Sequence, residues 1–298
     1  MPTKGREEAR TDFVIFGPNK GVIMKFTKMH GAGNDYVYVN CFEETVENAA
    51  QVAIDVSHRH FGIGSDGLIL IKPSEEAAAE MEMYNADGSI SEMCGNGLRC
   101  VAKYVFDHGI CTEEKFDLQT GAGVKSVVIN KGTDGKAETV TIDMAPPILA
   151  GKEIPTTWDQ EQVVNEIIAV EDKEFEVTCV SMGNPHCVIY VEDVKNFPVE
   201  KYGPILENHE RFPNRVNVEF VEIVSKDEVI QRTWERGSGE TWACGTGACA
   251  VCVAGVLTGK TNGKILNHLL GGDLTLTYAI GESVIMEGPA TEVFTGEI

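Results

Sequence analysis

One feature constrains this chain more than any local pattern, because two of its landmarks recur at a single spacing. Cys94 in "EMCGNGLRC" and Cys244 in "TWACGTGAC" each stand directly before Gly-x-Gly and a run of small or apolar residues, 150 positions apart. Asn34 in "GNDYVYV" and Asn184 in "GNPHCVIYV" are separated by the same 150. That shift also lays Asn85 on Glu235 and Gly67 on Asn217. Landmarks that share one offset indicate duplication, so two halves of like topology are expected.

Local patterns agree with that division. In the first half "MKFTKM", "YVYVN", "GLILI", "EMEMYN", "FDLQT", "VKSVVIN" and "TVTIDM" have the alternation or β-branched content of strands. "ENAAQVAIDVSHRH" reads as a helix, and a second helix is expected from about Gly95 to just before Gly109, a residue suited to a helix end. "APP" at 145–147 marks a joint, since proline does not continue a strand interior. The second half repeats the order with "EFEVTCVSM", "HCVIYV", "NVEFVEIV" and "VIQRTWE", then a helix from about Thr246 to Leu257. "LTLTYAI", "SVIMEG" and "TEVFTGEI" close the chain as strands, while "SEEAAAE" at 74–80 reads as a solvated loop. The expected class is α+β, in two pseudo-symmetric lobes.

Composition excludes several functions. The net charge of −21 argues against nucleic acid and against anionic membrane surfaces as partners. No apolar run has the length of a membrane span. The N-terminal stretch lacks the apolar core of a signal peptide. Nine cysteines form an odd set without framework spacing and read as reduced thiols, which places the protein in the cytoplasm. Cys41, Cys111, Cys179 and Cys187 lie in or beside apolar stretches and read as core residues. Trp234 and Trp242 read as packing residues.

Three chemistries compete for the two Cys-Gly-x-Gly motifs. Cys244, Cys249 and Cys252 have an iron–sulfur-like spacing, but no cysteine follows residue 252 to serve as fourth ligand. On a helix, Cys249 and Cys252 would simply face the core. "GIGSDG" at 62–67 fits a dinucleotide fingerprint, yet a strand pattern follows it rather than a helix. "GTGACA" at 245–250 precedes a helix but lacks a βαβ context. No metal and no cofactor is therefore expected.

The third reading uses the duplication itself. In each half a strand ends, a thiol appears and Gly-x-Gly opens a helix, whose unpaired N–H groups lower a thiol's pKa and attract a carboxylate. Glycine at 95 and 245 lets a ligand approach the backbone closely. One such site could serve a cysteine hydrolase. Two that face each other suit two-base racemisation, in which one thiolate removes a proton and the opposite thiol returns one.

"MHGAGNDYVYVN", "NADGSISEMCGNGLRC", "MGNPHCV", "RVNVEFVE" and "ERGSGETWACGTGACA" together resemble the signatures of the diaminopimelate epimerases, in order, from about Met24 to the C-terminus. The resemblance implies two lobes, each a mixed, barrel-like sheet around a central helix. It implies residues 24–144 as the first lobe, completed by the strand at 287–298, and 145–286 as the second. The activity implied is cofactor-free interconversion of LL-2,6-diaminoheptanedioate and its meso form, for lysine and peptidoglycan synthesis, by a homodimer with a small-molecule substrate. Carried over by motif, Cys94 is the proton donor and Cys244 the proton acceptor, and His186 and Glu235 tune their pKa values. Asn34, Asn85, Gly95, Asn96, Asn184, Asn217, Glu235, Arg236, Gly245 and Thr246 would bind the substrate. Gly67 departs from family members that carry glutamine there, and has no side chain to contribute. Proline or hydroxyproline racemases share the Cys-Gly-x-Gly idea but would show Cys-Gly-His, where this chain has Cys94-Gly95-Asn96. Another amino-acid racemase, or a non-epimerase isomerase or binding protein on the same fold, is the alternative.

Residues 1–23 precede the first motif and read either as a disordered extension or as a stretch ahead of the initiator, Met24. Deleting them is expected to leave catalytic efficiency and thermal midpoint unchanged. A drop of several degrees in a calorimetric scan would show instead that this stretch packs on the fold.

Overall fold

A computed structural model describes residues 24–298 apart from Asp172. The extension assigned to residues 1–23 lies outside the described residues. The first half runs β1 (Lys25–Gly31), β2 (Asn34–Asn40), α1 (Ala49–Ser57), β3 (Gly67–Lys72), β4 (Ala79–Asn85) and β5 (Ile90–Ser91). It continues through α2 (Gly95–Asp107), β6 (Lys115–Thr120), β7 (Gly123–Lys131) and β8 (Ala137–Asp143). The second half runs β9 (Val163–Val170), β10 (Lys173–Ser181), β11 (Pro185–Tyr190), α3 (Val199–Glu207), β12 (Asn217–Ser225) and β13 (Glu228–Glu235). Then come β14 (Gly239–Thr241), α4 (Gly245–Leu257), β15 (Lys264–Leu269), β16 (Gly272–Thr277), β17 (Ile285–Pro289) and β18 (Thr291–Glu297).

The duplication governs register as well as order. Helices α1 and α3, and likewise α2 and α4, begin and end 150 residues apart. The parallel pair β2–β3 sets Val37 against Leu68, and β11–β12 sets Cys187 against Val218, the same two positions one repeat later. Pairing runs without a break as β18-β1-β2-β3-β4-β6-β7-β8, passes to β17 at the β8 edge, and continues β16-β15-β13-β12-β11-β10-β9. β18 therefore returns from the end of the chain to β1, the place that β9 occupies beside β10.

Each half folds its sheet around one helix. α2 packs against β1, β2, β4, β7 and β8, and α4 against β10, β11, β12, β15, β16 and β17. The sequence of α4, GTGACAVCVAGVL, is apolar or small on every side, and Ala248 to Gly255 are all buried. A helix apolar all round has to be enclosed. Cys249 and Cys252 accordingly lie in the core, fully buried. One apolar cluster draws from both halves, joining Leu98 and Val101 of α2 to Val251 and Val253 of α4. The family of α+β folds expected from the sequence is the one found.

Several elements escaped the sequence pattern. α3 carries Pro204 inside a nine-residue helix, and its apolar stripe is too short to stand out. It forms because Trp234 lies across Gly203, where an added Cβ would come 2.5 Å from the indole, and because Trp234 Nε1 donates to Glu207 Oε2 at 2.8 Å. Trp242, by contrast, is 66% exposed and does not pack as expected. "SEEAAAE" is a loop only in part, since Ala79 and Glu80 open β4 and Ala79 is fully buried. Among the described residues no helix is long and apolar enough to cross a membrane.

Leu98→Ala, on the buried face of α2, is expected to cost about 2–5 kcal/mol of stability, as core truncations do. Chemical denaturation with the slope held constant measures it. A loss under about 1 kcal/mol would mean that this helix is not enclosed as described.

Candidate active site

Both Cys-Gly-x-Gly motifs adopt one local structure. Cys94 caps α2 and Cys244 caps α4, each in extended backbone, with Gly95 and Gly245 as the first helical residues. The Cys94 sulfur accepts from the Gly97 N–H at 3.4 Å, and the Cys244 sulfur from the Gly247 N–H at 3.4 Å. A thiol here replaces the usual oxygen cap for the free N–H groups of the first turn.

The two helix starts converge. A Cβ on Gly95 would stand 2.9 Å from Met286 Cε, and one on Gly245 3.4 Å from Met286 Sδ, so both abut a single side chain of β17. Asn96 of the first half donates from Nδ2 to the Ala243 carbonyl, next to Cys244, at 3.3 Å. Glycine at both starts leaves the Met286 side chain its place beside them.

Around Cys94, Asn34 is held tightly. Its Nδ2 donates to Asp66 Oδ2 at 2.7 Å, which turns Oδ1 toward Cys94 Sγ (3.4 Å) and Asn96 Nδ2 (3.5 Å). Arg99, with no exposed surface, donates to Asn96 Oδ1 at 2.7 Å and to the Pro289 carbonyl at 3.3 Å. Asn96 is thereby oriented with its amide nitrogen toward the second half.

Around Cys244 the surroundings are acidic. Thr246 Oγ1 lies 3.5 Å from Cys244 Sγ. His186 and Glu219, both fully buried, meet at 2.8 Å between Nδ1 and Oε1. One donor atom from each of His186, Glu219 and Cys244 falls within 4.8 Å of the others. Glu235 accepts from Thr241 Oγ1 at 2.5 Å, and its carboxyl is pushed up chiefly by burial.

The remaining expected residues divide. Asn217 is buried with its amide committed to backbone: Nδ2 donates to the Pro185 carbonyl at 2.8 Å and Oδ1 accepts from the Arg236 N–H at 2.9 Å. It shapes the wall. The Arg236 guanidinium is exposed and donates to the Asn214 carbonyl at 3.2 Å. Asn85 donates to Ser89 Oγ at 3.0 Å, at the end of β4 opposite Gly67. A Cβ on Gly67 would fall 2.1 Å from the Tyr84 carbonyl, which accounts for the missing side chain.

A helix N-terminus by itself lowers a thiol pKa, the effect expected from the two motifs, and here burial prevails. Burial pushes the Cys94 thiol up, with the Gly97 N–H and the Arg99 cation opposing it. Burial also lifts Cys244 well above the ordinary thiol range, and Glu235 and Glu219 add to the rise. The first-turn N–H groups give partial charges only, whereas loss of water penalises the whole thiolate. Asp66, Arg99 and Glu219 were missed as site residues. Asp66 and Arg99 sit inside recognised motifs but act through neighbours, and Glu219 lies at a strand position where an apolar residue is the ordinary occupant.

Alkylation should report these surroundings. With raised thiol pKa values the thiolate fraction is small at neutral pH, so inactivation by iodoacetamide should accelerate with pH beyond about 9. Glu235→Gln removes a negative neighbour and should move the Cys244 profile to lower pH, as read by peptide mapping. An unmoved profile would take Glu235 out of the thiol's field.

Known proteins share this arrangement of sequence and fold. The family model described as diaminopimelate epimerase matches residues 26–149 and 178–293. A protein of Agathobacter rectalis named diaminopimelate epimerase is 55% identical over 284 residues, which cover 92% of this chain and 99% of that one. One of Methanococcus maripaludis with the same name is 50% identical, over 92% and 99% of the two chains. Among solved structures, a phenazine biosynthesis protein of the PhzF family from Bacillus anthracis aligns with a TM-score of 0.68 at 15% identity, over 93% of this chain and 99% of that one. A hydroxyproline epimerase from Agrobacterium vitis aligns with a TM-score of 0.62 at 16% identity, over 93% and 91%. These two establish the fold alone. With the family model spanning most of its length and curated relatives above half identity, the chain belongs to the diaminopimelate epimerase family.

Proposed function

We propose that this protein interconverts LL-2,6-diaminoheptanedioate and meso-2,6-diaminoheptanedioate by two-base proton transfer without a cofactor, feeding lysine and peptidoglycan synthesis. The observation that carries the reading is the convergence of two cysteine-capped helix starts from the two halves, tied by Asn96 to the Ala243 carbonyl at 3.3 Å. In the LL-to-meso direction the Cys244 thiolate takes the α-proton, the bonding pair moves into the carboxylate, and the Cys94 thiol delivers its proton to the opposite face, which leaves Cys244 as thiol and Cys94 as thiolate. The roles exchange in reverse. Both thiols are raised above the ordinary range, so Cys244 gives up its own proton before it acts as the acceptor.

The first-turn N–H groups of α2 and α4, with Asn96 and Thr246, hold the reacting carboxylate, where negative charge grows as the carbanion forms. Asn34, Asn85, Asn184, Glu235 and Arg236 hold the amino groups and the distal carboxylate, and Asn217 supports them through the backbone. His186 and Glu235 set the charge around Cys244. Residues 24–144 with 287–298 act as one lobe and 145–286 as the other. The protein works as a cytoplasmic homodimer.

Incubation with LL-diaminopimelate in deuterated water is expected to give meso product with one deuteron at the inverted α-carbon, read by chiral chromatography and mass spectrometry. Racemisation of proline with no conversion of diaminopimelate would overturn the assignment. Cys94→Ala and Cys244→Ala are each expected to abolish net epimerisation, because one base cannot serve both faces. Full activity in either variant removes that thiol from the reaction.

A further inference from the structure

The duplicated halves match in register through the strands that flank the site, so departures from symmetry there carry information. Asn34 and Asn184 occupy equivalent positions, yet their side-chain oxygens meet different partners. Asn34 gives its nitrogen to the Asp66 carboxylate at 2.7 Å, an acceptor only, so its oxygen is presented to Cys94. Asn184 gives its oxygen to His186 Nε2 at 3.0 Å, and its amide nitrogen, on a half-buried side chain, has no protein partner among the described residues. The Asn34 oxygen is thus turned to Cys94 and Asn96, and the Asn184 oxygen to His186.

The cause is a buried pair that the first half lacks. One repeat earlier, the positions of His186 and Glu219 hold Tyr36 and Ile69, both buried. Glu219 has no exposed surface, its Oε1 meets only His186 Nδ1, and its Oε2 is buried without any partner. A carboxyl group enclosed in this way is penalised as the anion unless a cation stands beside it. Gly247 makes the room, since a Cβ there would lie 2.6 Å from Glu219 Oε1 and 3.2 Å from Cys244 Sγ. In the first half, a Cβ on the corresponding Gly97 would meet Ile69 Cδ1 at 2.8 Å. The charged or titratable groups that face the pair are Cys244, capping α4, and Glu235, at the end of β13.

We propose that Glu219 is a positioning residue for substrate recognition: it keeps His186 protonated on both ring nitrogens, so that Nε2–H holds Asn184 Oδ1 and the Asn184 amide nitrogen faces the cleft as a donor. The inference deepens the reading above and rests on it for the substrate. A two-headed amino acid such as diaminopimelate presents nearly equivalent ends to a nearly symmetric cleft. The opposed asparagines make the cleft polar from one half to the other. The acceptor side suits an ammonium group and the donor side a carboxylate. Loss of the Glu219 charge frees the Nε2 proton to leave, and the Asn184 amide then turns to donate to the ring, presenting oxygen to the cleft instead.

The experiment combines ring-nitrogen NMR of the ligand-free, histidine-labelled full chain with steady-state kinetics. The His186 signals are identified by their loss in His186→Asn. The wild type is expected to show both His186 nitrogens protonated at neutral pH. Glu219→Gln, which keeps the shape, is expected to lose the Nε2 proton and to lower kcat/KM on the order of 10- to 100-fold, mostly through KM, as for a lost bond to a charged group. A singly protonated ring in the wild type overturns the proposal, and that measurement stands even if the variant does not fold. A variant that keeps both protons, or loses one with KM unchanged, overturns it as well. Failure of the wild type to turn over diaminopimelate counts against the substrate assignment, while the ring measurement, made without ligand, still tests Glu219.

Discussion

Everything at this site depends on a compromise at two helix N-termini. The free N–H groups of a first turn need an acceptor, and at both places the chain supplies a thiol sulfur 3.4 Å from the third helical residue's N–H. The same placement buries Cys244 and leaves Cys94 half-buried. Burial then outweighs the partial charges of the helix start, and both thiols are held protonated more strongly than free cysteine. The enclosed helices make that burial unavoidable, because α4 has no polar face to turn outward.

Duplication gives the two thiols equivalent places at converging helix starts, and asymmetry gives them different fields. Arg99, a buried cation, tempers the rise at Cys94, while its counterpart one repeat later is Cys249. Glu235 and Glu219 reinforce the rise at Cys244, where the first half offers Asn85 and Ile69. Because Arg99 also fixes Asn96, which reaches the second half at Ala243, the charge difference and the join between halves use the same side chains. A core substitution between α2 and β17 would therefore disturb the proposed chemistry as well as stability.

The chain order alone determined a great deal. The 150-residue offset, read from two cysteines and two asparagines, anticipated the matched helices α2 and α4 to within a residue or two and most of the strands. It could do so because a helix opened by Gly-x-Gly and strands of alternating pattern are local signals. Tertiary structure alone decided α3, whose proline-bearing stretch is held by Trp234 from a distant strand. It decided the thiol environments too, since desolvation depends on what encloses a group and has no signature in its neighbours along the chain. The expectation of lowered thiol pKa values followed from the helix start, which the sequence shows, and missed the burial, which it does not. Glu219 is the sharpest case. Its position in β12 fits an inward-facing strand residue, and only the approach of His186 from β11 and the space left by Gly247 in α4 make a buried carboxylate possible there.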